Sequence, residues 1–258
     1  MGMSPEDIDD LKTAKDLLEN PGIAAKITNL VGTPIEKGFE LLPANWREKV
    51  GVVTRNALMV ALKGALFTMD TKEKEALPRL HKLAAAISGG VGGAFGLPAL
   101  AIELPASTTI MMRSIADIGR SHGEDFATNQ ARMACLEVFA LGGTNKKDDS
   151  SESGYFAIRV ALARSVTEAA EYLAEKGFVE EGAPALVRLI AVIAARFEIQ
   201  VSEKAVAMAI PAIGAFGGAL INLLFIDHFQ NMSRGHFTVR KLERKYGPEL
   251  VRKTYESL

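Results

Sequence analysis

The sequence is poor in the features that usually announce an activity. A single cysteine, Cys135, stands among 258 residues, which excludes an intrachain disulfide framework and suits a reducing compartment. The net charge is −1, from 30 basic and 31 acidic side chains, so no overall field favours nucleic acid or another polyanion as partner. Runs of alternating β-branched residues are missing, which argues against a sheet. The opening Met1-Gly-Met-Ser-Pro-Glu-Asp-Ile-Asp-Asp10 is acidic and polar, where a secretory signal needs a basic head and an apolar run. Cytoplasm, or the inner face of the cell membrane, is the expected place.

Catalytic signatures are equally scarce. Ala86-Ile-Ser88-Gly-Gly90 resembles a nucleophile elbow, but that turn needs a strand before the serine and the preceding residues read as helix. Gly90-Val-Gly92 begins like a dinucleotide fingerprint, yet Phe95 stands where the third glycine belongs. There is no P-loop. The four histidines, His81, His122, His228 and His236, form no HExxH pair and have no cysteine at zinc spacing. The spacing therefore names no cofactor and no metal.

What the sequence has instead is two stretches without charge, 83–102 and 205–226, each about one hydrocarbon thickness long if helical. Both are rich in glycine, and Gly-Ala-Phe-Gly occurs at 93–96 and again at 214–217. Glycine costs a helix roughly 1 kcal/mol per residue against alanine, so this density calls for compensation by close packing. The pairs Gly89/Gly93 and Gly214/Gly218 flatten a helical face and allow a second backbone, or a second copy, to approach. Pro98, Pro105 and Pro211 argue against simple spans and for broken helices or hairpins. A buried helix pair, a membrane-embedded one and a switch between them all fit this pattern.

Elsewhere Ala, Leu, Glu, Lys and Arg dominate, and the expected fold is all-α: a single helical bundle with the two glycine-rich segments at its centre. Ser4-Pro5 with Glu6 and Asp7 predicts the first helix, with a stripe of Ile8, Leu11, Ala14 and Leu18, stopped by Asn20-Pro21-Gly22. A long helix follows from Trp46 to Met69. Pro105 is expected to open a helix ended by Gly123, with Asp125 capping the next. Residues 142–154 are polar throughout and read as a flexible loop. Helices resume over Tyr155–Lys176, stopped by Gly177, then from Pro184, and finally through Phe237 to Tyr246. Residues 1–44 read as an N-terminal helical segment and 45–258 as the main domain.

Two sets of polar residues draw notice. Glu103 and Asp227 end the two uncharged runs, each ten residues after a glycine, Gly93 and Gly217, and this placement suggests that they face each other. With His228 they would share a proton or hold a metal, whereas the plainer reading is helix-end acids paired with arginine. The second set is Arg240, Lys241, Arg244 and Lys245, interleaved with Phe237, Leu242 and Tyr246. Such a helix can lie on anionic lipid or cover the bundle as a solvated face.

The run Ala209-Ile-Pro211-Ala-Ile-Gly214-Ala-Phe-Gly217-Gly218-Ala-Leu-Ile-Asn222, followed by Asp227-His228-Phe229, Gly235-His236-Phe237 and Arg240-Lys-Leu-Glu-Arg-Lys-Tyr246-Gly247, resembles the signature of the EcsC protein family. Gly93-Ala-Phe-Gly-Leu-Pro98 with Glu103-Leu-Pro105 is similar to it as well, and the likeness spans about residues 45–257. The resemblance implies a membrane-linked accessory role, since the family is named for a product encoded beside components of a bacterial ABC transporter. It brings no catalytic residues. The expectation is a membrane-associated accessory or binding protein that docks on anionic lipid or on a membrane protein, in support of a transporter or a membrane stress process. A hydrolase centred on Glu103, Asp227 and His228, and a soluble scaffold, are the alternatives.

Overall fold

The computed structural model describes residues 2–19, 26, 28, 40, 42, 45–68, 100–142, 154–177, 183–209 and 214–258. These residues form eight α-helices: α1 (Pro5–Glu19), α2 (Trp46–Thr68), α3 (Leu100–Ser121), α4 (Asn129–Glu137), α5 (Tyr155–Lys176), α6 (Pro184–Ala209), α7 (Gly214–Tyr246) and α8 (Pro248–Ser257). A short 3-10 turn, Val138–Ala140, continues α4. No strand occurs among the described residues, so the fold is all-α, as expected. The first glycine-rich segment, with Gly89 and Gly93, and the loop at 143–153 lie outside the described residues.

Local chemistry sets the helix ends. The Ser4 hydroxyl accepts the Asp7 N–H at 3.2 Å and donates to its carboxylate at 2.6 Å, a cap made by the residue types read there. α3 stops where Gly123 takes a positive φ of 81°. There the Glu124 N–H reaches the Gly119 carbonyl and the Gly123 N–H reaches that of Arg120, both at 3.0 Å, the double bond pattern that a glycine terminator permits. Two expectations fail. Pro105 does not open α3 but lies inside it, because Leu100 and Glu103 are already buried and their contacts outweigh one backbone hydrogen bond. Asp125 does not cap α4. Thr128 does, accepting from the Ala131 N–H, while the Asp125 carboxylate accepts from Ala127 one turn earlier. The last helical region is also longer than read: α7 runs unbroken for 33 residues, and α8 follows after Gly247 and Pro248.

α7 is the hub, packing against α1, α3, α6, α8 and the 3-10 turn. Its heart is a cluster of Phe139, Phe197, Phe225 and Phe229 with tilted rings 5.1–6.1 Å apart, each fully buried. Removing such side chains from water contributes roughly 1.5–3 kcal/mol apiece. Side-chain partners give the directions. Asn222 meets Glu103, Gln230 meets Ser114 and Arg240 meets Glu124, so α3 and α7 run parallel. Lys204 lies over the Phe225 ring and Phe197 packs on Phe229, so α6 and α7 run antiparallel. The start of α3, the end of α6 and the start of α7 therefore share one end of the bundle.

The expected stripe of α1 is largely realised, with Leu11, Ala14 and Leu18 buried on α7. Contact is close because residue 235 is glycine: a Cβ there would lie 2.6 Å from Leu18 Cγ and 2.9 Å from the Ala14 carbonyl. Gly235→Ala is accordingly expected to lose roughly 1–3 kcal/mol in urea denaturation by displacing α1. Gly64→Ala, whose Cβ would meet only Thr109 Cγ2 at 3.7 Å, is expected to gain up to about 1 kcal/mol from helix propensity. Equal effects at the two sites would refute this packing.

Candidate functional site

Glu103, the first acid singled out by the sequence, is a buried structural residue. Lys204 donates to its carboxylate at 2.7 Å and Asn222 at 2.8 Å, and both side chains of the ion pair are almost wholly shut from water. Burial alone would raise the carboxyl, but the Lys204 charge and these hydrogen bonds hold it below its ordinary value. Asp227 does not share this location. It lies five residues beyond Asn222, about 140° around α7, and is half-buried. His228 is buried against Gly142 and Met232, and desolvation, followed by the charge of Lys26, pushes it down to about 3. No group of three or more His, Cys, Asp or Glu side chains among the described residues converges as a metal site. Glu103, Asp227 and His228 thus do not form one.

The four C-terminal cations differ in their engagement. Arg240 grips Glu124 with two bonds of 2.9 and 3.0 Å. Arg244 binds the same carboxylate and the His122 carbonyl, and Lys245 reaches Asp7 at 2.7 Å. Lys241 is exposed. Three of the four tie α7 to the rest of the fold. Of the glycines, Gly214 and Gly218 fall in the first turns of α7.

A cleft of about 310 Å³ opens between α4, α5, α7 and α8. Its most unusual member is Glu137, the last residue of α4, which is buried. Among the described residues the carboxylate approaches the His236 Nε2, at 3.6 Å, too far for a hydrogen bond. The other ring nitrogen of His236 lies 2.9 Å from the Tyr155 hydroxyl, and that histidine is kept neutral by burial and by Arg159 and Arg240. Desolvation pushes Glu137 up to about 7, against the pull of Arg159 and Arg240. The negative end of the α4 dipole acts in the same direction. Around it stand Arg159, held to Glu243 by bonds of 2.7 and 3.0 Å, and Arg252, while Phe156, Val160, Ala163 and Val166 form an apolar wall. Chemically this is a carboxylic acid poised near neutrality beside guanidinium groups, suited to holding or exchanging a proton at the surface of a bound molecule.

Reading the sequence did not find this cleft. Its signal was one acid in the otherwise apolar Met133-Ala-Cys-Leu-Glu137-Val-Phe-Ala-Leu141, which looks like ordinary core until α5 and α8 are placed beside it. Cys135 in the same stretch is fully buried and its thiol is pushed well up by desolvation, which makes it unreactive.

The two buried carboxyls have opposite pH signatures. Glu103 titrates below its unfolded value, so its stabilisation is present above about pH 4.5 and fades as pH falls further. Glu137 titrates above it. The folded state holds that proton longer, so stability declines as pH rises from about 4.5 to about 7, by roughly 3 kcal/mol at most. Glu137→Gln is expected to remove that decline in denaturation curves between pH 5 and 8 and to raise stability at pH 8; an unchanged pH dependence would refute the assignment. Lys204→Met is expected to cost roughly 3–5 kcal/mol by leaving Glu103 buried and unpaired, and adding Glu103→Leu to recover most of it. Failure of the double variant to recover would show that more than the ion pair is at stake.

In comparisons with known proteins, the model of the EcsC protein family matches residues 6–242. The match takes in α1, where the resemblance read from the sequence began near residue 45. No curated protein and no solved structure matches. The match covers most of the 258 residues, and the chain belongs to the EcsC protein family.

Proposed function

We propose that this chain is a membrane-associated accessory protein that docks on the inner face of the cell membrane by the uncharged end of its bundle. The carrying observation is the level at which charge stops. Glu103, Lys204 and Asn222 meet in one buried junction, and beyond it residues 100–102 of α3, 205–209 of α6 and 214–221 of α7 carry no charge. Ile102 projects there with 82% of its surface exposed, and residues 83–99, which precede α3 in the sequence, are uncharged as well. An apolar pole above a charged body fits the boundary between headgroups and acyl chains. No helix among the described residues is long and apolar enough to cross a membrane, so the reading is partial embedding, with binding and support as the role.

The test is flotation of the untagged protein with liposomes of mixed neutral and anionic lipid, at low and high salt and after carbonate washing. Flotation that persists in high salt and drops at least tenfold with Ile102→Asp is the expected result. Sedimentation of the wild-type protein away from lipid would overturn the reading. Flotation abolished by salt and indifferent to Ile102→Asp would overturn it in favour of the α7 cations as the contact.

A further inference from the structure

The charges around the Glu137 cleft are already matched within the protein. Arg159 is bonded to Glu243, Arg240 to Glu124 and Arg252 to Glu256, and the exposed Glu249 stands at the rim near Arg252. Glu137 itself is raised chiefly by loss of water, a condition that penalises a charge of either sign placed beside it. What the cleft offers is therefore a neutral polar group. A protonated carboxyl has one O–H to donate and a carbonyl oxygen to accept with, and that of Glu137 has no hydrogen bond among the described residues. The buried Nε2 of His236, 3.6 Å away, has none either. Beside this polar spot Val160, Ala163 and Val166 follow at a spacing of three on α5, so they share a face of the helix. Val160 is 66% exposed, and Ala163 is exposed as well. A volume of about 310 Å³ lies at the small end for ligand sites.

We propose that this cleft binds a small uncharged amide on a short apolar body, the amide pairing edge to edge with the Glu137 carboxyl and the body lying along Val160 and Ala163. In that pair the acid O–H donates to the amide oxygen, and an amide N–H donates to the acid's carbonyl oxygen. Donor and acceptor are both satisfied, and no charge enters the cleft. An ionised Glu137 has lost its donor, so binding is coupled to retention of its proton. The groups that set its charge come from every side: Tyr155 and Arg159 on α5, His236, Arg240 and Glu243 on α7, Arg252 and Glu249 on α8, and Glu124 before α4. Because His236 and Tyr155 both stay uncharged near neutrality, Glu137 is the group among these that changes charge between pH 6 and pH 8.

Isothermal titration of the full chain with hexanamide, hexanoate, hexylammonium and acetamide tests this. Hexanamide is expected to bind at pH 6, the anion and the cation of the same length at least tenfold more weakly, and acetamide more weakly for want of a chain. Hexanamide affinity should fall roughly tenfold between pH 6 and pH 8, the ratio of protonated Glu137 at the two values. Glu137→Gln, which keeps one donor and one acceptor on that edge, is expected to bind hexanamide at both pH values without that dependence. Ala163→Trp fills the cleft from an exposed position and should abolish binding, whereas Ile102→Asp should leave it intact, which separates the cleft from the membrane-docking end. Absence of hexanamide binding at pH 6, equal or tighter binding of hexanoate or hexylammonium, or binding that survives Ala163→Trp would overturn the proposal. A tenfold pH effect that persists in Glu137→Gln would overturn the proton coupling.

Discussion

A lysine and a glutamate shut away from water fix how three distant helices line up. Lys204 and Glu103 each give up hydration on entering the core, and that loss is repaid only if the two meet at hydrogen-bond distance. With Asn222 donating to the second oxygen of Glu103, α3, α6 and α7 have one register in which both bonds to that carboxylate form. Sliding any of the three by a turn would strand a charge among apolar side chains. Packing of Phe139, Phe197, Phe225 and Phe229 adds to the cohesion of a large apolar core, but aromatic faces tolerate several arrangements, while the ion pair accepts one. The bundle's alignment, and hence the gathering of uncharged helix ends at one pole, rests on it.

Three carboxylates show how environment divides one chemistry. Glu103 is buried and fully bonded, Glu124 is partly buried and shared by Arg240 and Arg244, and both titrate low. Glu137 is as deep as Glu103 yet lacks a bonded cation, because Arg159 and Arg240 spend their forks on Glu243 and Glu124. Its ionised form is thereby left expensive. Natural cores seldom retain such a group without use, and it faces a cavity rather than packed side chains.

The sequence disclosed what local rules govern. The cap at Ser4, the glycine stops at 123 and 177, and the long helices follow from residue types within a few positions of each other. The all-α class and the family were legible for the same reason, being written in contiguous stretches. Pro105 misled because a proline near a helix start is tolerated when burial on both sides favours helix. The pairing of Glu103 with Asp227 was a guess from symmetry along the chain, and helical geometry sends Asp227 around to another side of α7. The true partner, Lys204, was visible only as the charge before the second uncharged run. Glu137 went unnoticed because its meaning depends on α5, α7 and α8, which approach it from residues 155 onward.

The parallel course of α3 and α7 also bears on how the chain acquires its shape. Glu103 is separated from Lys204 by 101 residues and from Asn222 by 119. A growing chain can lay α3 on α2, which precedes it, but Glu103 waits without its partners through the synthesis of everything between. Contacts this remote form late and slowly. During that interval the face of α3 that α7 later covers is open to aggregation. Until α6 and α7 arrive, the acid that ends the first uncharged run has neither of the groups that later satisfy it.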